Sequence, residues 1–469
     1  MNRSPAAKTW SRLQHWRHRL TVPQFTAVTG LLVIAAGTVV LASPLCSTDD
    51  VGLWEALFTV TSAITVTGLS IIDVGRDLTP IGQITLAALI MVGGLGLMAI
   101  TTFLQGFVQG RSGLRHRLDK GRALDEFGVG GIGPTFHRIL LTASCLIGLG
   151  TVILYCFGFQ DIQSPVARLW ASLFHCISAY NNAGFGLWAD NLVGYQFNPV
   201  VCGVIGSMIV LGGIGWRVTN DLLQFKPSFR RLRQLSLHTR LVLRSTALLI
   251  AIGTVGLLFT EQFDPGGVVQ KLSLIQRLQV TVFQSITTRT AGFNTVPLSI
   301  ETISDAGLLL MILLMFIGAS PGGTGGGIKT TTFAVLMGAT RSTLQGRDGV
   351  VIRNRLIPDS VVLKAVGTAL ASAIFVVLMT LLLGICEAIA GKAPAGEGFT
   401  FLENLFTCMS AFGTVGLDVG VIAHLGRWGQ AVVMISMFVG RLGILLVLSA
   451  IYGNRPPSRI GYPREEVYL

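Results

Sequence analysis

Long and short apolar segments alternate along this chain. The long segments fall at residues 23–44, 79–108, 135–159, 198–216, 245–262, 303–337, 361–390 and 428–452. A helix of about 20 residues crosses a bilayer, so each can span one. Between the two long segments of each pair lies a shorter apolar segment of about 12 residues, which is too short to cross a bilayer. These short segments are residues 54–65, 168–180, 275–288 and 401–412. The pattern predicts an all-α integral membrane protein with eight transmembrane helices and four half-helices.

A glycine-centred loop follows each half-helix. The loops are residues 65–69 (TVTGL), 181–185 (NNAGF), 289–293 (RTAGF) and 413–417 (GTVGL). A phenylalanine precedes the central glycine by ten, ten, nine and ten residues, at Phe58, Phe174, Phe283 and Phe406. Four copies of helix, half-helix, loop and helix predict pseudo-fourfold repeats around one axis. Rings of backbone carbonyls replace the water shell of potassium, so the loops predict one central cation-selective pore.

Composition agrees with a membrane protein. Hydrophobic residues make up 51% of the chain and charged residues 12%, roughly half the charged share of soluble domains. The 57 glycines fit close approach between membrane helices. The seven cysteines form no Cys-x-x-Cys pair, which predicts buried small side chains and neither a disulfide framework nor a zinc site.

Basic residues are unevenly distributed between the two predicted sides. The two tails and the three long inter-unit segments hold 26 of the 35 Lys and Arg residues. By the positive-inside rule these segments and both termini are cytoplasmic, and the glycine loops open outward. The outer side holds 15 of the 23 acidic residues, which attracts cations to that mouth. Because the basic residues are scattered over short loops, the net charge of +12 does not indicate nucleic-acid binding.

The sixth long segment, residues 303–337, is too long for a single crossing. Pro321 and the five glycines of 322–327 lie in its middle, where no regular helix survives. Irregular backbone at membrane depth is tolerated where it is buried in protein or lines a cavity. We therefore expect a loop next to the pore that acts as a plug, with a simple packing kink as the alternative.

Two basic residues accompany this segment. Lys329 follows the glycine run, and Arg441 lies inside the apolar span 428–452, about ten residues from either end. A basic residue at the bilayer centre costs about 2.5–3.5 kcal/mol and normally has partners inside the protein. For Arg441 we expect hydrogen bonds to carbonyls or hydroxyls of the loop. For Lys329, a role at the pore and snorkelling to the cytoplasmic surface are equally open.

Other features carry less functional information. The glycine motif at 128–133 follows no predicted strand, so it is expected to be a turn and not a dinucleotide site. The seven histidines show no ligand spacing, and His175 on the second half-helix is expected to be a packed or interfacial side chain. Arg289 is expected to brace its half-helix through a salt bridge, because a cation lining the pore would repel the permeant ion.

Two other classes of protein are disfavoured. A membrane-embedded enzyme needs a nucleophile–base pair or paired carboxylates at depth, and the spans hold neither. Carriers with alternating access break helices in inverted pairs, whereas the pattern predicts one interrupted span among eight.

The repeated unit resembles the Trk/Ktr/HKT superfamily of potassium transporters over about residues 23–452. The similarity is carried by the second and third loops and by the run at 320–330 (SPGGTGGGIKT). Eight spans without an extra helical pair before the first unit are most like the KtrB-type membrane subunit. The implied organisation is a tail (1–22), four pore repeats (23–108, 135–216, 245–337 and 361–452) and a second tail (453–469).

The resemblance also implies function and site residues. Such proteins are homodimers in the cell (inner) membrane, contacting lipid and regulated by a cytoplasmic ring of RCK subunits, so any nucleotide lies on the partner and no covalent cofactor is needed. The implied filter residues, which would bind the permeant potassium, are Val66, Thr67, Gly68, Asn182, Ala183, Gly184, Thr290, Ala291, Gly292, Thr414, Val415 and Gly416. The implied gating residues are Pro321, Gly322, Gly323, Thr324, Gly325, Gly326, Gly327, Lys329 and Arg441. Plant relatives with serine at the first filter glycine favour sodium, so Gly68 implies potassium preference, with sodium or sodium-coupled transport as the alternative.

Overall fold

The computed structural model describes residues 22–48, 51–96, 132–224, 235–263, 267–347, 349–390 and 399–452. Nearly all of both predicted tails, residues 128–131 of the glycine motif and residues 97–108 of the second predicted span lie outside these residues, while Ile132 and Gly133 begin a helix. The described part is mostly helical. Its helices are α1 (Val22–Leu41), α2 (Leu53–Thr65), α3 (Val74–Asp77), α4 (Pro80–Met91), α5 (Ile132–Ile153), α6 (Pro165–Tyr180), α7 (Pro199–Ile214), α8 (Trp216–Leu223), α9 (Leu237–Thr260), α10 (Leu274–Thr287), α11 (Asp305–Phe316), α12 (Thr330–Leu344), α13 (Asp359–Ala390), α14 (Phe401–Gly413), α15 (Arg427–Leu442) and α16 (Ile444–Tyr452).

Within the described ranges, four single helices are long and apolar enough to cross a membrane: α1, α5, α9 and α13. Each is the first long helix of one predicted unit, and each exposes large apolar side chains that suit contact with lipid. The short helices α2, α6, α10 and α14 fall within three residues of the predicted half-helices. An antiparallel hairpin of β1 (Val351–Ile352) and β2 (Arg355–Leu356) between α12 and α13 was not predicted.

The second long helix is interrupted in three units. Helices α7 and α8 meet at Gly215 with a bend of 104°, and α15 and α16 meet at Gly443 with a bend of 97°. Both glycines have left-handed backbone, with φ of 88° and 86°, which ends a right-handed helix. In the third unit, residues 317–329 separate α11 from α12. The expectations of one interrupted span among eight and of a straight span at 428–452 are therefore wrong, because apolar composition does not encode helix direction.

Local capping explains where the short helices begin. At α14, the backbone N–H of Thr400 donates to the Glu403 carboxylate (2.7 Å) and the N–H of Glu403 donates to the Thr400 hydroxyl (3.3 Å), which is a capping box. Helix α6 begins at Pro165 after Ser164, whose hydroxyl accepts from the Ala167 N–H (3.4 Å). These caps fix the starts of α6 and α14 and hence the positions of the glycine loops at their ends.

Three glycines let the second long helix of a unit pack directly on the end of its short helix. A β-carbon at Gly93, Gly212 or Gly440 would lie 2.3, 1.8 or 1.8 Å from the carbonyl oxygen of Ile64, Tyr180 or Phe412, respectively. Each of these carbonyls belongs to the fourth residue before a loop glycine. The four repeated phenylalanines are buried behind the loops, with 0–2% exposure. Backbone contact and apolar packing thus hold each loop in place.

The cysteines only partly follow the prediction. All seven are free, and Cys46, Cys176, Cys202 and Cys408 are buried as expected. Cys386 is half-buried, while Cys145 and Cys156 are exposed on and just after α5. The expectation was wrong for the exposed pair because the outward face of this peripheral apolar helix is not covered by protein.

We expect Gly212→Ala to lower the thermal stability of the purified protein. Its methyl group would overlap the Tyr180 carbonyl at 1.8 Å, and overpacking of this kind costs about 1–3 kcal/mol. The matched control is Gly367→Ala in α13, where an added β-carbon meets no atom within 4 Å. Thermal unfolding in detergent tests the difference, and equal midpoints for the two variants would contradict this packing.

Candidate functional site

The glycine loops close the short helices with a shared backbone motif. In loops one, two and four, a residue with left-handed backbone follows the last turn: Val66 (φ 56°), Asn182 (58°) and Thr414 (49°). The next N–H returns to the helix: those of Thr67, Ala183 and Val415 donate at 2.8 Å to the carbonyls of Ser62, Ser178 and Ser410. This is a Schellman cap. In the third loop, Thr290 (φ 74°) is left-handed and the Ala291 N–H donates to the Thr287 carbonyl (3.0 Å).

The four loops meet in a closed ring. A β-carbon on Gly68 would lie 2.4 Å from the carbonyl oxygen of Ala183, and one on Gly184 would lie 2.7 Å from that of Ala291. A β-carbon on Gly292 would lie 2.3 Å from the carbonyl oxygen of Val415, and one on Gly416 would lie 2.0 Å from that of Thr67, which closes the ring. Real β-carbons do not approach oxygen so closely, so each position excludes any side chain. The twelve residues proposed from sequence are therefore brought together at one place.

The ring carbonyls accept no hydrogen bond from the part of the chain that the structure describes. Among the described residues, no hydrogen bond reaches the carbonyl oxygen of Thr67, Ala183, Ala291 or Val415, and all four residues are fully buried. A buried carbonyl without a donor is costly. A ring of such oxygens can instead coordinate a partly dehydrated monovalent cation. Within the described ranges, no group of three or more His, Cys, Asp or Glu side chains could hold a metal ion.

Hydroxyl groups behind the ring were missed by the sequence analysis. The N–H groups of Gly68 and Gly416 donate to the hydroxyls of Ser62 (3.0 Å) and Ser410 (3.1 Å). Ser178 and Thr287 hold the same place in the other units, and their buried hydroxyls have no partner among the described residues. All four follow the repeated phenylalanine by four residues. Comparison of the repeats in register would have found them.

A cavity of about 380 Å³ opens on one side of the ring. It is lined by all four loop glycines and by the residues two positions after each of them: Ser70, Gly186, Asn294 and Asp418. Asp73 and Asn191 also line it, and the Asn191 amide donates to the Gly184 carbonyl (3.1 Å). The cavity therefore borders the ring directly on this side.

Residues 317–329, which we call the interrupting loop, adjoin the ring. The predicted non-helical stretch is confirmed and begins earlier than expected, because α11 ends at Phe316. The loop folds back on itself: the Gly318 N–H donates to the Ile328 carbonyl (2.9 Å). The Gly326 N–H donates to the hydroxyl of Thr414 (2.9 Å), and the Thr324 hydroxyl donates to the carbonyl of Tyr180 (3.2 Å). The loop thus touches the fourth and second glycine loops or their helices.

The bend in the second unit also holds the interrupting loop. The N–H groups of Ser320 and Thr324 donate to the carbonyls of Gly213 (3.0 Å) and Gly212 (3.1 Å). In return, the Trp216 N–H at the start of α8 donates to the Gly322 carbonyl (3.1 Å). The bend frees backbone groups that a continuous helix would have used, and the loop pairs with them.

Arg441 joins three units. Its guanidinium donates to the Thr324 carbonyl in the interrupting loop and to the Gly93 carbonyl in the first unit (2.6 Å). The predicted contact with a loop carbonyl is confirmed, but the predicted position deep within a helix is wrong. Because α15 ends at Leu442, Arg441 lies in its last turn, where the helix dipole favours a cation. The residue is buried, at 9% exposure.

Two further basic residues donate hydrogen bonds to carbonyls of the interrupting loop. The Lys329 ammonium donates to the Gly325 carbonyl (2.9 Å), so it contacts the interrupting loop. Its role at the pore stays a prediction. Within the described residues, Arg289 does not form the expected salt bridge. Its guanidinium lies 3.4 Å from the carbonyl oxygens of Thr246 in α9 and Gly318 in the interrupting loop. Backbone carbonyls are thus its acceptors.

His175 is a packing residue, as expected. It is fully buried and stacks on Trp188 with 4.4 Å between ring centroids. Its Nδ1 lies 2.8 Å from the Ala171 carbonyl oxygen, and the Leu187 N–H points at its Nε2 (3.4 Å). It supports the segment that follows the second loop from behind.

Comparisons with known proteins agree on one family. The family model described as TrkH, cation transport protein, matches residues 6–453. Ktr system potassium uptake protein B of Bacillus subtilis is 36% identical over 450 residues, covering 96% of this chain and 97% of that protein. Potassium/sodium uptake protein NtpJ of Enterococcus hirae is 31% identical, covering 97% and 98%. The crystal structure of the potassium transporter TrkH from Vibrio parahaemolyticus shares the fold, with a TM-score of 0.67 at 18% identity over 90% of this chain and 83% of that chain.

Proposed function

The chain belongs to the TrkH family of cation transport proteins, and we propose that it takes up potassium through the ring of four glycine loops. It is an integral membrane transport protein and not an enzyme. The observation that carries the proposal is the closed ring of buried carbonyls, which accept no hydrogen bond from the described residues. The relatives named as potassium uptake proteins match it over nearly their whole length.

The proposed architecture is eight transmembrane helices in four pseudo-fourfold repeats around this ring. In support, each unit contributes one long helix, one short helix and one ring glycine in the same order. The distribution of Lys and Arg supports a cell-membrane orientation with cytoplasmic termini and with the cavity outside. Potassium is the substrate, and its ligands would be the loop carbonyls.

Sodium or sodium-coupled transport is the second candidate, since one relative is named a potassium/sodium uptake protein. Glycine at all four ring positions favours potassium under the resemblance described above. The interruptions fall at corresponding places in successive units, whereas alternating-access carriers commonly use inverted pairs. Competition among potassium, rubidium and sodium in cells lacking potassium uptake separates the candidates. Uptake of sodium alone would overturn the proposal.

Gly68→Ser and Gly292→Ser should lower the potassium-to-sodium selectivity of uptake about tenfold, which corresponds to about 1.4 kcal/mol. A side chain at either position meets the neighbouring carbonyl at 2.4 or 2.3 Å and distorts the ring. Gly148→Ser is the matched control, because an added β-carbon there meets nothing within 4 Å. Selectivity is measured as the ratio of rubidium to sodium uptake. An unchanged ratio in both ring variants would remove these loops as the filter.

We further propose that the interrupting loop is the gate. Arg441→Ala and a deletion of residues 322–326 should each raise maximal potassium flux about tenfold or more, with ion preference little changed. Arg441 donates from a charged group to the Thr324 carbonyl in the loop and to the Gly93 carbonyl in the first unit. A hydrogen bond from a charged donor is worth about 1.5–3 kcal/mol, so loss of the bond to the loop is enough to shift a closed state about tenfold. Arg427→Ala, at the exposed opposite end of α15, is the control. Flux at or below wild type, with normal amounts of both variants in the membrane, would leave the loop as a packing kink.

We propose a homodimer regulated by a cytoplasmic nucleotide-binding ring of the RCK type, contacting residues 109–134, 217–244 and 338–360. The Ktr system naming of the relatives supports a separate subunit. In the described part, the exposed β1–β2 hairpin projects from the third of these segments, with Arg353 and Asn354 forming its left-handed turn.

Arg353→Glu combined with Arg355→Glu should reduce co-purification of the cytoplasmic subunit severalfold, because both charges on the hairpin are reversed. Arg427→Glu on the proposed outer side should not. Pull-down from membranes and light scattering of the purified protein provide the measurements. A stable monomer whose transport in vesicles is the same with and without cytosolic subunits would rule out this assembly.

A further inference from the structure

The four loop glycines carry a second level of backbone carbonyls beside the ring. All four glycines line the cavity, whereas the residues before them, whose carbonyls form the ring, do not. The chain of each loop thus runs from the ring towards the cavity. The glycine carbonyl is the next one after the ring carbonyl in every unit.

This second level is not fourfold in its hydrogen bonds. Among the described residues, no hydrogen bond reaches the carbonyl oxygen of Gly68, Gly292 or Gly416. The Gly184 carbonyl differs, because the side-chain amide of Asn191, seven residues later, donates to it (3.1 Å). The residues seven positions after the other three glycines carry no side-chain amide: Gly75, Ser299 and Ala423.

Local structure returns the Asn191 amide to the second loop. Asn191 has left-handed backbone (φ 57°), which asparagine adopts more readily than most residues. Its N–H donates to the carbonyl of Trp188 (3.0 Å), which stacks on the buried His175 of α6. The next N–H, that of Leu192, donates to the Asn294 carbonyl (3.1 Å). The position of Asn191 is thus fixed by α6 on one side and by the segment after the third loop on the other.

The Asn191 amide has no competing partner in the described part of the chain. Its Oδ1 is buried and has no hydrogen-bond partner there, so the bond to Gly184 is the one that its amide group makes. Gly186 packs against the amide, since a β-carbon on it would lie 3.6 Å from the Asn191 amide nitrogen. The contact with the Gly184 carbonyl is therefore what the side chain is placed to make.

We propose that Asn191 is a specificity-determining residue, which positions the Gly184 carbonyl and weakens its attraction for a passing cation. The inference deepens the proposed function and rests on it. A donated N–H lowers the negative potential of the oxygen that accepts it. The cavity-side level therefore offers an ion one hydrogen-bonded carbonyl beside three that accept no bond from the described residues.

This asymmetry favours the larger ions. The number and field strength of the coordinating carbonyls can set the choice between potassium and sodium. Coulomb attraction grows as the cation and the oxygen approach each other, so a small ion gains more from a stronger carbonyl than a large one does. Loss of the amide strengthens the Gly184 carbonyl and should therefore help sodium more than potassium or rubidium.

Asn191→Gly should lower the ratio of rubidium to sodium uptake about three- to fivefold, because the donor is lost while glycine adopts the left-handed backbone without strain. Asn191→Asp, which has nearly the same shape but no amide N–H, should lower the ratio by a similar factor. The added charge of the aspartate attracts both cations, so the ratio and not the KM is the diagnostic quantity. Initial uptake rates in potassium-uptake-deficient cells, normalised to the amount of protein in the membrane, provide the measurement.

Asn198→Gly is the matched control. The Asn198 amide donates to the Gly158 carbonyl over the same distance, 3.1 Å, in the same unit but outside the cavity. The control thus loses the same kind of bond, and glycine is tolerated at the N-cap of α7 that Asn198 occupies. Its uptake ratio should equal that of the wild type.

A wild-type ratio in either Asn191 variant would overturn this role. In the glycine variant it would mean that the bond has no effect on selectivity, and in the aspartate variant that only the bulk of the side chain matters. An equal fall in Asn198→Gly would also overturn it, because the effect would then be a general one of lost packing. Failure of the proposed function is distinct, since the wild-type protein itself would take up no rubidium or potassium, or sodium alone.

Discussion

The structure depends on the close approach of backbone to backbone at the ring of four loops. Each ring glycine lies against the carbonyl of the next loop, and the fourth returns to the first. Four chain segments far apart in sequence must therefore be held to within a few tenths of an ångström. Capped short helices, buried phenylalanines and the close contacts of Gly93, Gly212 and Gly440 supply that precision. Packing of the surrounding backbone thus orients the four ring carbonyls, and rings of backbone carbonyls are what replaces the hydration shell of potassium in selectivity filters.

The interrupting loop is governed by a second constraint, that buried polar backbone must find partners where water is scarce. The bend after α7 provides carbonyls and an N–H for it, and Arg441, Lys329 and Arg289 provide donors. Helix α8 follows the bend, and its Asp221 accepts from the hydroxyl of Ser236 at the start of α9 (2.8 Å). The start of α9 is thus connected to the loop through α8 and the bend by hydrogen bonds. A subunit bound on that side would have a mechanical route to the proposed gate.

Much of this arrangement could be predicted from the sequence because two signals repeat four times. Apolar length located the long and short helices, and the Phe-to-glycine spacing located the loops and their register. The bends at Gly215 and Gly443 could not be predicted from apolar length, since a bent helix and a straight one have the same composition. A pattern of glycines three apart, at Gly93 and Gly96, Gly212 and Gly215, and Gly440 and Gly443, was the available signal. Because the expectation did not use this pattern, it put Arg441 in the middle of a helix.

The hydrogen-bond partner of the buried Arg289 was also predicted incorrectly. For Arg289 a carboxylate was expected, yet its guanidinium lies 3.4 Å from two backbone carbonyls, that of Thr246 in α9 and that of Gly318 in the interrupting loop.

The central claim is that the carbonyl ring binds the transported cation. Anomalous diffraction from crystals equilibrated with thallium or rubidium tests it most directly. The account predicts a peak on the axis of the ring, within coordination distance of the four loop carbonyls. A well-ordered ring with no peak, or a cation bound only elsewhere in the protein, would contradict it.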